Sequence, residues 1–363
     1  MRHTLNAQAD RIELVLASHK VPAQVRGGRV TPNAVKFEVI TPLGTRVNRI
    51  AALAEELALA LGARQVAVHR RAGYIEIEVP RQDRPRISLE RLFKRVRRVP
   101  PATALLGVDE NGTPLLLRVD SPDVAHVLIA GTTGSGKTVL MRLIGLSLAR
   151  WNRQAQVQLV LLDPKGRGLA PLAPLPHVWG GGVLRDMGDI TRMLERLVHL
   201  MEERDRRGSS WPRMIVLVDE LAEVIGVGGR AASRALTRLV QRGREAGIHV
   251  IAATQKPSST LLGGIMKGNF PVRIVGRVAS ADDARVAAGV GGSGAERLRG
   301  HGDFILVTGG EIIRFQAPHV EDEGLRQAVH QLREQRRIGR NTSTPVTRPA
   351  RNAFQRGLQL LAR

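Results

Sequence analysis

The chain has 363 residues, a formal net charge of +22 and no cysteine, so disulfides, thiolate metal sites and cysteine catalysis are excluded. A hydrophobic content of 43% excludes a disordered chain, and the charge favours a polyanionic partner such as DNA or RNA over a merely basic surface. The 3% aromatic content argues against recognition of single strands by base stacking and favours a duplex held by its phosphates.

Residues 1–100 are predicted to form a small α+β domain. The alternation of apolar and polar residues over 35–40 is typical of a half-buried strand, and residues 49–63 have the periodicity of a helix. The other elements predicted for this domain are two strands and a strongly basic helix or linker: 65–71, 74–80 and 87–99. The pair Pro100-Pro101 marks the predicted boundary.

Residues 101–338 alternate short apolar runs with helical patterns, which predicts a three-layer α/β domain with a mostly parallel central sheet. Most of the runs are almost continuously apolar, as expected of strands buried on both faces. The strand candidates are 126–130, 157–162, 214–218, 249–253 and 272–278. A helix is predicted over 323–337, and residues 339–363 are predicted to be a basic flexible tail.

A phosphate-binding loop with the pattern G-x-x-x-x-G-K-[ST] follows the first of these strands and opens an amphipathic helix, the context that the motif requires. Backbone N–H groups of such a loop surround phosphates, and the helix N-terminus adds a favourable dipole. We expect Lys137 to reach the β- and γ-phosphates of ATP and the Thr138 hydroxyl to bind Mg²⁺. The predicted nucleotide-binding residues are Gly131, Thr132, Thr133, Gly134, Ser135, Gly136, Lys137 and Thr138.

An acidic pair, Asp219-Glu220, ends the strand at 214–218. Since the carboxyl ends of parallel strands meet at one edge of the sheet, the pair is expected beside the phosphate loop. Asp219 is predicted to hold Mg²⁺ and Glu220 to polarise the attacking water; the alternative for Asp219 is a helix cap. Gln255, at the end of another strand, is either a sensor of the γ-phosphate or a polar strand end facing solvent.

Six stretches, in this order, resemble the motor domain of FtsK/SpoIIIE DNA translocases, which are RecA-like P-loop ATPases of the HerA–FtsK group. They are "HVLIAGTTGSGKTVLM", "LLDPKG", "IVLVDELAEV", "RGREAGIHVIAATQKPS", "IMKGNFPVRI" and "LRGHGDFIL". Residues 34–68 are also similar to the family's smaller domain, which forms a second tier of the ring. The resemblance covers roughly residues 20–335.

The resemblance implies a hexameric ring around double-stranded DNA, with each ATP site completed by an arginine from the neighbouring subunit. The matching arginine is Arg244, although it also belongs to a basic cluster with Arg238 and Arg242 and can be read as a solvated helix residue. The resemblance further implies DNA contacts by Lys256 and Arg285, while a third family lysine is replaced here by alanine, at position 281.

The sequence therefore predicts an ATP-hydrolysing motor that moves along double-stranded DNA and serves transfer or segregation of a mobile element or chromosome. The alternatives are an ATPase of a protein secretion system and a nucleotide-gated DNA-binding protein. No membrane-spanning run, signal peptide or winged-helix domain is recognised, which leads us to expect a minimal cytoplasmic form without direct membrane insertion. The tail is expected to tether the motor to DNA or to dock a recruiting protein through residues 354–362.

Overall fold

The chain folds as two units, one from its alternating and one from its near-continuous hydrophobic segments. The computed structural model describes residues 2–31, 34–42, 44–81, 87–255, 257 and 268–340. The first unit comprises residues up to 86 together with 110–112, and the second comprises the remainder. Residues 87–100, assigned to the first domain by the sequence, belong to the second unit because Leu92, Phe93 and Val96 are buried in its core.

The first unit is a four-stranded antiparallel sheet with the order β1-β2-β4-β3, covered by helices. Phe37 of the sheet packs with Ile12 and Leu57 of the helices. The helix predicted over 49–63 is two shorter helices, and the first helix and β1 were not predicted. The elements are α1 Arg2–Ser18, β1 Gln24–Val30, β2 Ala34–Ile40, α2 Val47–Ala51, α3 Ala54–Ala60, β3 Ala67–Arg71 and β4 Tyr74–Pro80.

The second unit contains a ten-stranded sheet with the order β6-β5-β14-β13-β12-β7-β11-β10-β8-β9. Its elements are α4 Leu89–Arg95, β5 Thr103–Asp109, β6 Pro114–Arg118, β7 Val127–Ala130, α5 Lys137–Trp151, β8 Val157–Leu162, β9 Val178–Leu184, α6 Met187–Arg207, β10 Arg213–Val218, α7 Leu221–Arg242, β11 Ile248–Thr254, β12 Val272–Val275, α8 Ala281–Ala288, β13 Asp303–Thr308, β14 Glu311–Gln316 and α9 Asp322–Arg340.

The six strands from β12 to β9 are parallel, and the strands from β13 to β6 extend the sheet in antiparallel pairs. Apolar residues of α5 and α9 cover one face of the sheet, and those of α6 and α7 cover the other. The predicted three-layer arrangement with a mostly parallel sheet and a preceding small α+β domain is confirmed. The antiparallel extension and β9 were not predicted.

The register of the parallel strands brings their carboxyl ends to one edge. Ala130 of β7 pairs with Thr254 of β11 and with Val275 of β12, and Val218 of β10 pairs with Leu162 of β8. The next residue along each strand therefore emerges at the same edge, which is where α/β folds bind ligands.

Helix α9 runs to Arg340, two residues into the predicted tail, and residues 341–363 lie outside the described residues. Among the described helices, none combines the length and the apolar composition needed to cross a bilayer.

Candidate active site

The loop between β7 and α5 has the backbone geometry that its glycines permit. Gly131, Gly134 and Gly136 have positive φ angles of 152°, 80° and 103°, a region that disfavours side chains. Gly136 precedes the first residue of α5, Lys137, so the N–H groups of the first helical turn point into the loop. This is the arrangement expected of a phosphate-binding loop.

Two distant segments brace the loop through backbone hydrogen bonds. On one side the Thr132 N–H donates to the carbonyl of Arg277, just beyond β12, at 2.8 Å. On the other side the N–H groups of His301 and Gly302 donate to the carbonyls of Gly134 and Ser135 at 3.1 and 2.9 Å. No side-chain pattern indicates a role for residues 301–302, and their one signal in the sequence is the family-like stretch that contains them.

The Lys137 ammonium lies over the loop. Its Nζ donates to the carbonyl oxygens of Gly131 at 2.8 Å and Thr132 at 3.0 Å, and the residue is 7% exposed. Burial lowers the pKa of Lys137, and the carboxylates of Glu220 and Asp219 act in the opposite direction. The geometry holds a positive charge within reach of phosphates bound to the loop.

Asp219 and Thr138, the two residues predicted to bind Mg²⁺, meet beside the loop. The Thr138 hydroxyl lies 3.4 Å from Asp219 Oδ2. Burial raises the pKa of Asp219, and the nearby carboxylates of Asp163 and Glu220 raise it further. A carboxylate and a hydroxyl in a crowded acidic environment are the donors that a hard divalent cation prefers, so these residues fit Mg²⁺.

The loop after β8 closes tightly on Asp219. Asp163 is fully buried, and its carboxylate accepts from the N–H groups of Gly166 and Leu169, both at 2.9 Å. Arg142 of α5 donates to the carbonyl of Gly168. A Cβ at position 168 would overlap Asp219 Oδ2, so only glycine allows this approach. Gly168 was not predicted from the sequence, because nothing in its local pattern indicates a neighbour 51 positions away.

Glu220 is held in a strained backbone at the start of α7. Its φ and ψ of 71° and 71° are in the left-handed region, which costs a residue other than glycine about 1–2 kcal/mol. Its Oε1 accepts from the Thr254 hydroxyl at 3.4 Å and from the Gln255 N–H at 3.3 Å, and its Oε2 lies 3.7 Å from Lys165 Nζ. Strain at a polar strand end is a feature of functional sites.

Gln255 connects this carboxylate to the phosphate loop. Its side-chain Oε1 accepts a hydrogen bond of 2.9 Å from the Thr133 hydroxyl, while its backbone N–H donates to the Glu220 carboxylate. The side chain therefore lies at the site rather than at an isolated strand end. Its role as a γ-phosphate sensor stays a prediction.

An open cleft of about 380 Å³ lies along the loop. Predicted residues line one side, and the other side comes from segments that the sequence analysis did not assign to the site. The lining residues are Thr133, Gly134, Gly136, Lys137, Thr138, Val139, Gln255, His301, Gly302, Ala317, Pro318 and His319.

Arg244 lies away from this cleft, in the turn between α7 and β11 rather than within the helix. The two other arginines of its cluster pair with acids of α6: Arg238 with Glu202 at 2.5 Å and Arg242 with Asp205 at 3.2 Å. Arg244 is exposed, and its guanidinium has no hydrogen bond or ion pair with any described residue. The structure therefore separates Arg244 from its neighbours in the sequence cluster.

Of the two residues predicted to contact DNA, Arg285 is among the described residues and Lys256 is not. Arg285 lies on α8 with a side chain that is 69% exposed, and its guanidinium is 3.4 Å from Asp282 on the same helix. Lys256 lies outside the described residues. Both DNA contacts stay predictions.

Two family models match the chain in the order of its two units. The FtsK alpha domain model matches residues 1–81, and the FtsK/SpoIIIE family model matches 93–207 and 198–259. Together they cover well over half of the chain.

Curated relatives match almost the whole chain. DNA translocase FtsK of Sporosarcina ureae is 31% identical over 365 residues, which cover 92% of this chain and 46% of the relative. DNA translocase SftA of Bacillus subtilis is 31% identical over 91% of this chain and 37% of the relative, and SpoIIIE of the same organism is 30% identical over 90% and 46%. The chain thus spans less than half the length of these relatives.

Solved structures share the fold. The pCW3 conjugation coupling protein TcpA, solved with ATPγS, superposes with a TM-score of 0.63 over 91% of this chain and 99% of that one, at 17% identity. The cytoplasmic domain of the type VII secretion ATPase EccC of Thermomonospora curvata superposes with a TM-score of 0.59 over 68% and 34%, at 23% identity. At such identities the likeness establishes the fold alone.

Proposed function

The chain belongs to the FtsK/SpoIIIE family, and from that premise we propose that it hydrolyses ATP to drive movement along double-stranded DNA. The observation that carries the proposal is the meeting of the acidic pair Asp219-Glu220 with the phosphate loop at one edge of the sheet. The biological task that we propose is DNA transfer or segregation for a mobile element or chromosome.

Binding of the triphosphate is assigned to the loop and to Lys137. The loop supplies backbone donors, and the Lys137 ammonium, now held by two carbonyls of the loop, supplies the charge for the β- and γ-phosphates. Thr138 and Asp219 are the residues that would hold Mg²⁺, which neutralises charge that develops on the phosphates. A divalent cation held by these residues would offset two costs of the charged Asp219 carboxylate: its burial and its repulsion by Asp163 and Glu220.

Activation of water is assigned to Glu220. Its carboxylate is fixed by Thr254, Gln255 and Lys165, so it is oriented before substrate binds, as catalysis by positioning requires. Gln255 reports the state of the phosphate loop to the same carboxylate, because it bonds both Thr133 and Glu220. A purely nucleotide-gated DNA-binding protein has no need of this second acidic group.

Arg244 is proposed to complete the site of an adjoining subunit in a ring, for which a hexamer is the family form. Residues 248–254 of β11 separate Arg244 from the loop edge of its own sheet, a distance of about 20 Å for a strand of seven residues. An arginine side chain cannot span that distance. Its exposure and its freedom from the acids that hold Arg238 and Arg242 leave it available to another subunit.

Mixed assemblies test this shared site. Arg244→Ala should bind ATP but hydrolyse it at least 1000-fold more slowly, the order of effect known for arginine fingers. Mixing Arg244→Ala with Lys137→Ala subunits should restore turnover, since some interfaces then combine an intact pocket with an intact arginine. Verified mixed assemblies without any recovery would count against a shared site.

The net charge of +22 and the scarcity of aromatic residues support a partner held through phosphates. We therefore expect DNA binding that tolerates any sequence and weakens steeply with salt. Arg285→Ala should lower DNA-stimulated hydrolysis more than basal hydrolysis. A strong preference for one base sequence at matched length and salt would contradict this mode of binding.

Hydrolysis of ATP measured with and without long duplex DNA tests the proposed function. DNA should stimulate the rate of the wild-type protein, and Glu220→Gln should retain ATP binding while losing hydrolysis in both conditions. An ATPase that acts on a protein cargo would hydrolyse ATP at a rate that duplex DNA leaves unchanged.

A further inference from the structure

Arg204, at the C-terminal end of α6, is a buried arginine that binds backbone carbonyls. The residue is 6% exposed, and its guanidinium donates to the carbonyl oxygens of Ala246 and Pro212, both at 2.8 Å. Burial and the neighbouring Arg213 lower the pKa of Arg204, so the protein keeps this cation buried at a cost. The two carbonyls belong to two different segments of the chain, and the single guanidinium of Arg204 joins them.

One of those segments is the turn of residues 243–247, which carries Arg244. The turn is closed by hydrogen bonds from the Gly247 N–H to the Arg244 carbonyl at 3.0 Å and from the Ile248 N–H to the Gly243 carbonyl at 2.8 Å. Gly247, with φ of 70°, lies so close to the carbonyl of Ser210 that a Cβ would overlap it. The backbone of the turn is thus packed against the segment that leads into β10.

The other carbonyl fixes that leading segment. Pro212 precedes β10, and the Met214 N–H of this strand donates to the Gly247 carbonyl at 2.8 Å. Arg204 therefore joins the end of α6, the start of β10 and the turn before β11. The planar guanidinium suits this task, because its donors diverge in a rigid fork that a lysine does not offer.

We propose that Arg204 is the positioning residue for Arg244, holding its turn so that the exposed guanidinium meets the nucleotide site of the adjoining subunit. The inference rests on the proposed shared site. Arg204 touches no nucleotide and acts only through the turn. A bound arginine finger must be placed to within about 1 Å, and a misplacement of that size costs about 100-fold in rate.

The purely structural alternative is that Arg204 only satisfies two buried carbonyls. It predicts that an Arg204 variant loses stability and that its own nucleotide pocket suffers with the rest of the fold. The positioning role predicts instead a defect in what the subunit supplies to its neighbour. Complementation between subunits separates these two effects.

The experiment uses Arg204→Met, the conservative Arg204→Lys and the control Arg207→Met. Arg207 lies one turn further along α6, is exposed and pairs with Glu203 at 2.8 Å, so its loss removes the same charge without touching the turn. Binding of a fluorescent ATP analogue, oligomeric state, thermal unfolding and DNA-stimulated kcat and KM are measured for each variant, alone and in mixed assemblies.

We expect kcat of Arg204→Met to fall about 100-fold with KM and ATP affinity within about twofold of the wild type. Arg204→Lys should retain an intermediate rate because one ammonium can still hold one carbonyl, and Arg207→Met should match the wild type. Mixed with Lys137→Ala subunits, Arg204→Met should regain turnover; mixed with Arg244→Ala subunits, it should not.

Three results would overturn the inference. The first is that Arg204→Met regains turnover when it is mixed with Arg244→Ala subunits. The second is that it regains none with Lys137→Ala subunits under conditions where Arg244→Ala does. The third is that Arg204→Met loses as much ATP affinity as kcat. If Arg244→Ala itself fails to recover with Lys137→Ala, the shared site is wrong and the inference falls with it. If Arg204→Met does not fold, the same measurements of kcat, ATP affinity and turnover in mixed assemblies are made with Arg204→Lys.

Discussion

Replacing Gly168 with alanine tests how closely the loop after β8 holds the Asp219 carboxylate, which we propose to bind Mg²⁺. The added Cβ would overlap Asp219 Oδ2 and would lie 3.1 Å from Thr138 Cγ2, inside ordinary van der Waals contact, which begins at 3.4 Å. Gly168 does not have a positive φ, so alanine adds no backbone strain. The substitution therefore perturbs the two proposed magnesium ligands and little else.

The loss of activity expected for Gly168→Ala depends on whether the loop or the Asp219 side chain moves to relieve the overlap. The loop is fixed by two hydrogen bonds to the buried Asp163 carboxylate and by Arg142, which donates to the Gly168 carbonyl. The Asp219 side chain must therefore yield by about 1 Å to relieve the overlap, which predicts a loss of about 100-fold in kcat. The concentration of Mg²⁺ that gives half-maximal rate should rise as well, because the carboxylate and the Thr138 hydroxyl no longer converge.

Steady-state ATP hydrolysis over a Mg²⁺ titration checks this prediction, together with nucleotide affinity measured in excess EDTA, which should not change. Gly226→Ala is the matched control: it makes the same chemical change on α7, where a Cβ would meet nothing within 4 Å. A Gly168→Ala protein with the wild-type rate and Mg²⁺ dependence would refute the close placement of the loop against Asp219.

Substitutions at three further residues test the remaining groups. Lys137→Ala should abolish binding of labelled ATP in filter assays, and retention of affinity would remove the assigned phosphate contact. Glu220→Gln should hydrolyse ATP at least about 100-fold more slowly at unchanged affinity, and Glu220→Gly should be about 1 kcal/mol more stable than Glu220→Ala in chemical unfolding, because glycine tolerates the left-handed backbone. Asp219→Asn should be more stable than the wild type at neutral pH without Mg²⁺. The folded-state pKa of Asp219 is raised above its ordinary 3.8 by burial, Asp163 and Glu220, so the charged carboxylate costs stability above that value. This advantage should shrink as pH falls through the raised pKa, and an advantage that grows in acid would contradict the assignment.

The parallel part of the second unit was predictable because its strands are nearly continuous apolar runs with a polar residue at the end. The runs ending before Asp163, Asp219 and Gln255 are of this kind, and the register places their ends at one edge. The motif at residues 131–138 then predicts that the edge binds a nucleotide. The sequence therefore predicted the fold class and brought together most of the candidate site.

The features that the sequence did not predict depend on contacts between distant parts of the chain. His301 and Gly302 brace the phosphate loop through backbone N–H groups, which no side-chain pattern records. Gly168 is required by its closeness to Asp219, and Arg204 by carbonyls of two other segments. The break between α2 and α3 was missed because residues 49–63 keep a helical periodicity across it. The boundary at residues 100–101 was placed by two prolines, whereas burial of Leu92 and Phe93 decides it in the structure.

We propose that hydrolysis at the Asp219-Glu220 site moves the protein along duplex DNA. Displacement of a labelled third strand from a triplex at the far end of a long duplex tests this movement most directly. With ATP and Mg²⁺ the wild-type protein should release the third strand after a delay that lengthens with the distance to the triplex, and Glu220→Gln, bound to the same DNA, should release none. DNA-stimulated hydrolysis at full rate with the triplex left intact would contradict the account.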